Sequence, residues 1–308
     1  MSRSGESSGG RGPRRDLVGY GAVGPGVVWP GGARVALSIV VNYEEGSERS
    51  LWAGDDSNEN LGEWTRSVGE GYRDLGTESV YEYGSRAGIF RLLRLLNSVH
   101  MKGTIFAAAM ALEKNPEAAE AIRAAGHEVC AHGYRWSEEW TLSREEERER
   151  IGLAVESLKR TVGVRPVGWY SRWMASEYTR DLLVEEGGFL YDSNAYNDDL
   201  PYYVPVLGTQ HLVLPYTLTY NDARYSVGHF GAPSDFLDYL IRGLDYLWEE
   251  GASDPKMMSV GLHARWSGQA ARASVVREFL EYAAKKGDVW FATRREIAEW
   301  WMERQPRP

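Results

Sequence analysis

The stretch ARVALSIVVNYEEG, residues 33–46, decides the fold of this chain. Up to Tyr43 it is apolar and largely β-branched, as expected of a strand that is covered on both faces. Two acids, Glu44 and Glu45, and then Gly46 follow at once. The stretch therefore predicts a buried strand of a parallel sheet, with two carboxyl groups placed where the chain leaves the core.

The sequence that follows alternates strand and helix patterns about seven times. GTIFAAAMAL, residues 103–112, is predicted as one buried strand. A helix is expected to begin at Asn115 and Pro116 and to end at Gly126. Such alternation favours parallel strands joined by crossover helices. We predict an α/β fold, a distorted (β/α) barrel of about seven strands, in one domain over residues 16–308 after a flexible arm of residues 1–15.

Composition and charge exclude several classes of partner. The chain has 308 residues and a formal net charge of -9, which argues against a nucleic acid or an anionic membrane. A single cysteine, Cys130, excludes an intramolecular disulfide. The Gly/Ser/Arg-rich start lacks the apolar core of a signal peptide, and no stretch approaches the roughly 20 apolar residues that span a bilayer. We expect a cytoplasmic protein that acts on a small substrate.

The adjacent acids Glu44 and Glu45 are the first candidate site. Two carboxylates beside an apolar wall repel each other, so one should have a raised pKa, as a general base does. The alternative is a pair of solvated loop glutamates.

Two histidines at strand exits form the second candidate. His127 and Glu128 do not continue into the zinc motif H-E-x-x-H, because the next histidine is His132 rather than residue 131. On a strand this odd separation sends His127 and His132 to opposite faces, so we expect His127 to be structural. His132 and His263 both end strands and can meet across a barrel mouth.

The sequence offers few ligands for a metal and no motif for another cofactor. A catalytic zinc usually needs three protein ligands. Glu45 and His132 could supply two, but Trp136, four residues after His132, cannot coordinate a metal. There is no phosphate-binding loop, dinucleotide fingerprint or serine nucleophile motif. We therefore expect no cofactor.

Aromatic residues and arginines gather at strand exits in HGYRW, GWYSRW and HARW. Aromatic faces can enclose a flat ring, and guanidinium groups can bind its carbonyl oxygens. Core packing plus surface arginines is the alternative. The expected substrate-binding residues are Tyr43, Arg135, Trp136, Trp169, Arg172 and Arg265.

The order of these motifs carries a family resemblance. YEEG, GHEVCAHGYRW, RPVGWYSR and SVGLH resemble the motif series of the polysaccharide deacetylase, or NodB-homology, superfamily, from about Asp16 to Trp301. The resemblance implies that Glu44 is the general base, that Glu45 and His132 stand at metal-ligand positions, and that His263 is the general acid. Trp136 replaces the second histidine ligand.

Further stretches resemble one branch, the PuuE-type allantoinases and related cyclic imide hydrolases. They are NYEEGSE, ESVYEYGSRAG, YDSNAYNDDLPY, LPYTLTYND and PKMMSVGLH. The resemblance implies a hydrolase that opens a C–N bond of a small cyclic amide, imide or ureide without metal, and a homotetramer. Allantoinases continue one motif as GWYTGR, whereas this chain reads GWYSRW, which is more similar to the cyclic imide hydrolases.

Three alternatives stay open. One is an allantoinase proper, and one is a metal-dependent N-deacetylase of polysaccharide or peptidoglycan that binds zinc with a further ligand such as Asp192. The third is a binding protein without activity. The long polar segment from Gly46 to Leu75 could form a lid over the site.

Overall fold

One sheet organises the part of the chain that the computed structural model describes, residues 12–61, 68–305 and 307. The strands are β1 Val35–Tyr43, β2 Thr104–Ala107, β3 Glu128–Ala131, β4 Gly168–Trp169, β5 Tyr191–Asp192, β6 Tyr202–Val206, β7 Thr209–Val213, β8 Lys256–His263 and β9 Val289–Phe291. Eight of them follow the order β6-β7-β5-β4-β3-β2-β1-β8, and β9 pairs with the first half of β1. All pairs are parallel except β6 with β7. The path curls into a half-barrel, which confirms the predicted fold class.

Most of the helices pack on one face of this sheet and connect its parallel strands, and the last helix packs on the other face. They are α1 Leu75–Tyr83, α2 Ile89–Ser98, α3 Ala109–Lys114, α4 Pro116–Ala125, α5 Arg144–Val162, α6 Thr179–Glu186, α7 Pro233–Glu250, α8 Ala264–Ser267, α9 Ala270–Lys286 and α10 Arg294–Arg304. The side chain of Asn115 caps α4 and Gly126 ends it in a left-handed conformation, as predicted. Of the predicted arm, residues 1–11 lie outside the described part, and residues 12–15 are exposed coil.

The prediction of one strand over residues 103–112 is wrong. β2 ends at Ala107, and Ala109–Lys114 form α3. The backbone N–H of Ala108 donates to the carbonyl oxygen of Tyr43, the last residue of β1. Beyond that point β1 offers no further partner, so the alanine-rich sequence follows its helical propensity.

The edge strand β6 was not predicted. It contains Pro205, which lacks the N–H that a central strand needs. In the structure, Pro205 pairs with Gln210 in an antiparallel hairpin at the edge of the sheet, where a missing N–H is tolerated. Within the described residues the sheet has nine strands, whereas about seven were predicted.

The alternation of side chains along β1 separates two buried layers. Leu37, Ile39 and Val41 pack with the surrounding helices, whereas Ala36 and Val40 belong to a second cluster with residues of α10. Successive side chains on a strand point to opposite faces. The same alternation directs the two acids that follow β1 to different surroundings.

No helix among the described residues is long and apolar enough to cross a membrane.

Candidate active site

Three of the four predicted catalytic residues meet at the carboxyl ends of β1, β3 and β8, of which β1 and β8 are neighbours in the sheet. Glu44 follows β1, His132 follows β3, and His263 ends β8. The Nε2 atom of His132 lies 3.2 Å from Oε1 of Glu44, and the Nε2 atom of His263 lies 3.6 Å from the same oxygen. The exposed fractions of the three residues are 1%, 2% and 7%, respectively. One carboxylate oxygen therefore faces two imidazoles in a buried site.

The hydrogen bonds of His132 fix where its protons are. Its Nδ1 atom lies 2.7 Å from the backbone carbonyl oxygen of Tyr170, which can only accept, so Nδ1 carries a proton. The contact between Nε2 and Glu44 is then a hydrogen bond only if a proton also lies there. The imidazole also stacks on the ring of Tyr170.

His263 is oriented by Asp222, a residue that the sequence reasoning missed. Oδ1 of Asp222 lies 2.6 Å from Nδ1 of His263, and Oδ2 accepts the backbone N–H of the same histidine at 2.7 Å. Asp222 is fully buried at the start of a short 3₁₀ helix, Asp222–Tyr225. It does not lie at the end of a predicted strand, and its distance in sequence from His263 matches no known catalytic motif. The only available signal was its place in LPYTLTYND, a stretch noted for its resemblance to a family motif.

Glu45 faces away from the histidines. Its Oε2 atom accepts the backbone N–H of Glu44 at 2.9 Å, and its Oε1 atom accepts the backbone N–H of Arg265 at 3.0 Å. Burial and the neighbouring charge of Glu44 raise the pKa of Glu45 to about 8, although Arg265 opposes the shift. One acid of the pair thus has the raised pKa that was predicted, but it is Glu45 and not Glu44, the acid at the general-base position implied by the resemblance.

The pKa of Glu44 moves in the opposite direction. Burial alone would raise it, but the charges of Arg265, His263 and His132 outweigh burial and hold the pKa well below its usual range. Glu44 is therefore the ionised member of the pair. It is also the member that faces the histidines, which agrees with the base position implied by the resemblance.

Arg265 lies inside the same cluster. Its Nη1 atom is 2.6 Å from Oε2 of Glu44, and its side chain is fully buried. The rings of Tyr81, Trp136 and Trp266 surround the guanidinium, with centroids 4.6, 5.1 and 4.3 Å from its central carbon. Arg265 is thus the predicted substrate-binding residue that the fold brings into direct contact with the catalytic group.

Two arginines lie over the ring of Trp136. The central carbon of Arg172 is 3.7 Å from its ring centroid, and that of Arg265 is 5.1 Å from it. Arg172 is buried and is held by Glu59, with Nη1 2.9 Å from Oε2, and by the carbonyl oxygen of Trp136. Arg172 therefore connects Trp136 to the polar segment that begins at Gly46.

The other predicted substrate-binding residues make contacts elsewhere. Arg135 donates to the carbonyl oxygens of Ser47 and Glu48 and to the carboxylate of Asp55, so it anchors the start of the polar segment. The hydroxyl of Tyr43 pairs with Ser85 at 2.9 Å. The indole N–H of Trp169 donates to Ser171, and its ring packs edge-on against Phe189.

Two further residues from the sequence reasoning also have protein partners. His127 accepts the backbone N–H of Gly103 at its Nδ1 atom, which is the local structural role predicted for it. The carboxylate of Asp192, the alternative metal ligand, is held by Arg180 at 2.9 Å and by His211 at 3.0 Å.

The residues of the cluster do not fit a catalytic zinc. Among the described residues, no group of three or more His, Cys, Asp or Glu side chains is arranged to hold a metal ion. Both oxygens of Glu45 are engaged by backbone N–H groups. The Arg265 cation occupies the flank of Glu44, and a second cation placed there would be repelled by it.

A cavity of about 520 Å³ lies on the other side of an aromatic layer. It is lined by residues 196–199, 215–220 and 257–259 and by none of the catalytic cluster. Tyr216 belongs to both regions, because it lines the cavity, packs on Tyr170, and its hydroxyl accepts a hydrogen bond from Asn42. The cavity is therefore separated from His132 by the Tyr170–Tyr216 layer.

The fold and the strand-end cluster define a hydrolase of the NodB-like (β/α) barrel class. The sequence profile described as Polysaccharide deacetylase matches residues 78–187. A Schizosaccharomyces pombe protein assigned as a polysaccharide deacetylase is 36% identical over 302 residues, which cover 90% of this chain and 93% of that protein. The chain belongs to the polysaccharide deacetylase family, a group of hydrolases that act on C–N bonds.

Two solved structures match almost the whole chain. One is a probable polysaccharide deacetylase from Pseudomonas aeruginosa, with 47% sequence identity, a TM-score of 0.91, and coverage of 96% of this chain and 99% of that one. The other is PuuE allantoinase, with 46% identity, a TM-score of 0.91 and the same coverage. The chain is therefore similar over its length both to a deacetylase-type protein and to an allantoinase.

Proposed function

We propose that this protein hydrolyses a C–N bond of a small cyclic amide, imide or ureide without a metal ion. The observation that carries the proposal is the convergence of His132 and His263 on one oxygen of Glu44, with Asp222 behind His263. A carboxylate that accepts a proton and an imidazole that donates one are the two groups that hydrolysis of an amide needs.

The burial of this cluster favours a small substrate over a polymer. Glu44, His132 and Arg265 are almost entirely enclosed, and His263 is only slightly exposed. A polysaccharide needs an open groove along which several sugars can lie, whereas a single ring can be enclosed by aromatic walls. The similarity to PuuE allantoinase over nearly the full chain supports the same class of substrate.

In the first step, Glu44 accepts a proton from a water molecule that attacks a ring carbonyl carbon. Neighbouring cations keep Glu44 ionised, so it can accept a proton, and the same cations make it a weaker base than an isolated carboxylate. The oxygen then forms one bond to the carbonyl carbon, and the π electrons of the C=O bond move to the carbonyl oxygen. In its protonated form, His132 stabilises the negative charge that develops on this oxygen.

In the second step, the carbonyl re-forms and the C–N bond breaks. Its electron pair leaves with the ring nitrogen, and His263 donates the proton that this nitrogen takes up. Asp222 stabilises the imidazolium form of His263 that donates, through the 2.6 Å contact at Nδ1. The proton taken from water by Glu44 then returns to His263 and completes the cycle.

The chemistry of the substrate explains why this reaction can proceed without a Lewis acid. A ring imide or ureide expels a nitrogen whose charge is delocalised onto a neighbouring carbonyl group, so this nitrogen leaves more readily than an ordinary amine. A set of fixed side-chain charges then has less stabilisation to supply.

The test is a hydrolysis panel with allantoin, hydantoin, succinimide, glutarimide and N-acetylglucosamine oligomers, each with and without EDTA. The metal content of the purified protein is measured in parallel. We expect turnover of at least one ring substrate, unaffected by EDTA, in metal-free protein. Release of acetate that EDTA abolishes would instead support the metal-dependent deacetylase, and ring binding without turnover would support a binding protein.

Two outcomes of the panel separate the finer alternatives. Turnover of allantoin above the imides would identify an allantoinase proper, which the similarity to PuuE allantoinase also favours. Turnover of the imides alone would agree with the GWYSRW stretch. The cytoplasmic location and the homotetramer stay predictions, and size-exclusion chromatography with light scattering tests the latter.

A further inference from the structure

The guanidinium of Arg265 is a permanent positive charge at the centre of the cluster. An arginine stays protonated even when buried. Its Nη1 atom contacts Oε2 of Glu44 at 2.6 Å and lies 3.8 Å from Oε1 of Glu45. The backbone N–H of the same residue binds Glu45, so main chain and side chain together hold both acids. The protein thus places a fixed cation beside its catalytic carboxylate.

Two donor groups of this guanidinium lack an acceptor. The Nε and Nη2 atoms of Arg265 are buried and have no hydrogen-bond partner among the residues that the structure describes. Leaving a buried donor unpaired costs about 1–3 kcal/mol, and more for a charged group. The faces of the surrounding rings of Tyr81, Trp136 and Trp266 attract the positive charge. They do not provide an oxygen or nitrogen acceptor for the two N–H groups. The unpaired N–H groups indicate that an acceptor from a ligand completes the site.

We propose that Arg265 is a catalytic residue that binds the scissile carbonyl oxygen and provides the positive charge that a divalent ion would otherwise supply. This inference rests on the proposed function. During attack by water, the electron pair of the C=O bond moves to the oxygen, and the Nε–H and Nη2–H groups stabilise the resulting charge. Arg265 itself neither gains nor loses a proton.

Trp136 receives a specific role from this assignment. A histidine at that position would add a metal ligand, whereas the indole adds a flat face on which Arg265 rests. Arg172 also lies over the ring of Trp136, and its Nη1 and Nη2 atoms are held by the Trp136 carbonyl oxygen and by Glu59, so that only its Nε lacks a partner among the described residues. Arg172 is therefore assigned to hold Trp136, whereas Arg265, which contacts Glu44 and has two unpaired donors, is assigned to the substrate.

The experiment compares the wild type with Arg265→Lys, which keeps the charge and removes the planar fork of donors. Arg277→Lys, at an exposed arginine of α9, is the matched control. On a ring substrate that the wild type hydrolyses, we expect kcat of Arg265→Lys to fall about 10²–10³-fold, the loss typical of one oxyanion donor, with KM changed less. Folding is checked by circular dichroism and thermal unfolding.

The outcomes separate this inference from the proposed function. If the wild type opens a ring substrate and kcat of Arg265→Lys stays within threefold of the wild type, the role of Arg265 is overturned. The proposed function is unaffected by that outcome. Zinc-dependent release of acetate by the wild type overturns both. If no substrate turns over, titration calorimetry with succinimide decides: equal affinity for the wild type and Arg265→Lys overturns the inference, and a loss of at least tenfold supports it.

Discussion

Asp222 and His263 form a buried pair in which Oδ1 of the aspartate lies 2.6 Å from Nδ1 of the histidine. The second oxygen of Asp222 accepts the backbone N–H groups of His263 and Ser267. The aspartate therefore fixes both the ring and the main chain of the histidine. This arrangement directs Nε2 of His263 towards Glu44.

Replacement of Asp222 by Asn should reduce kcat about 10²–10⁴-fold, the range of general acid–base catalysis. The amide is neutral and cannot offset the positive charge that His263 carries when it acts as the proton donor. The pH profile of kcat should shift as well, which a purely structural defect would not produce. Asp238→Asn, at an exposed aspartate of α7, is the control, and equal kcat in the two variants would contradict the pairing.

Replacement of Glu44 by Gln should abolish turnover, with a loss in kcat of at least about 10³-fold. The side chain keeps its shape but can no longer accept a proton from water. Circular dichroism and the unfolding temperature should show that the fold is retained. Glu149→Gln, at an exposed glutamate of α5, should behave as the wild type, and a fully active Glu44→Gln enzyme would refute the assignment of the base.

Gly84 tests how tightly the cluster is supported. A Cβ atom on Gly84 would overlap the carboxylate of Glu45 and would lie 2.8 Å from the backbone nitrogen of Arg265. We expect Gly84→Ala to displace these groups and to destabilise the fold by about 1–3 kcal/mol, measured by urea unfolding, with a large loss of kcat.

Gly152 in α5 is the matched control for that substitution, because a Cβ atom there meets nothing within 4 Å. Gly152→Ala should stabilise the protein by about 0.4–1 kcal/mol through the lower entropy of the unfolded chain, and leave kcat unchanged. Equal unfolding free energies for the two variants would show that the space around Glu45 is not constrained.

The free energy of unfolding should decrease in mild acid because His127 is protonated more readily in the unfolded chain than in the folded protein. Burial, with the nearby charge of Lys102, lowers the pKa of His127 to about 4 from an ordinary value of 6.5. Between these values the unfolded chain binds a proton that the folded chain does not. The free energy of unfolding is therefore complete above pH 6.5 and decreases as the pH falls towards 4.

We expect this residue to contribute a loss of about 2 kcal/mol over that range. Asn at position 127 can still accept the N–H of Gly103 but does not titrate. Urea unfolding at pH 7 and pH 4.5 should thus show a smaller decrease for His127→Asn than for the wild type. Parallel decreases in the two proteins would contradict the assignment.

The acids after β1 show how far the sequence could be interpreted. Their position at the end of a buried strand was evident, and so was the conflict between two neighbouring carboxylates. The alternation of side chains sends Glu44 towards the histidines and Glu45 towards the backbone of Arg265, but which acid would meet which partner depends on strands distant in the sequence. Asp222 was not predicted for the same reason. It lies 41 residues before His263 in the sequence and does not follow the end of a strand.

The arginines illustrate the same limit. Arg135, Arg172 and Arg265 follow the ends of β3, β4 and β8 by four, three and two residues, and the sequence predicted one role for all three. In the structure, Arg135 binds the start of the polar segment. Arg172 binds Glu59 and lies over Trp136, and Arg265 binds Glu44. These partners are decided by the neighbours that each loop meets after the sheet curls.

The sequence by itself determined the class of fold, the ends of α4 and the strand exits at which ionisable residues gather. These features depend on local patterns, namely the period of apolar residues, capping side chains and glycines. Only the tertiary structure decided that Glu44 meets both histidines, that Asp222 supports His263, and that Arg265 is enclosed with two free donors. Such contacts arise from the order and curl of the strands, which bring together residues that no local pattern relates.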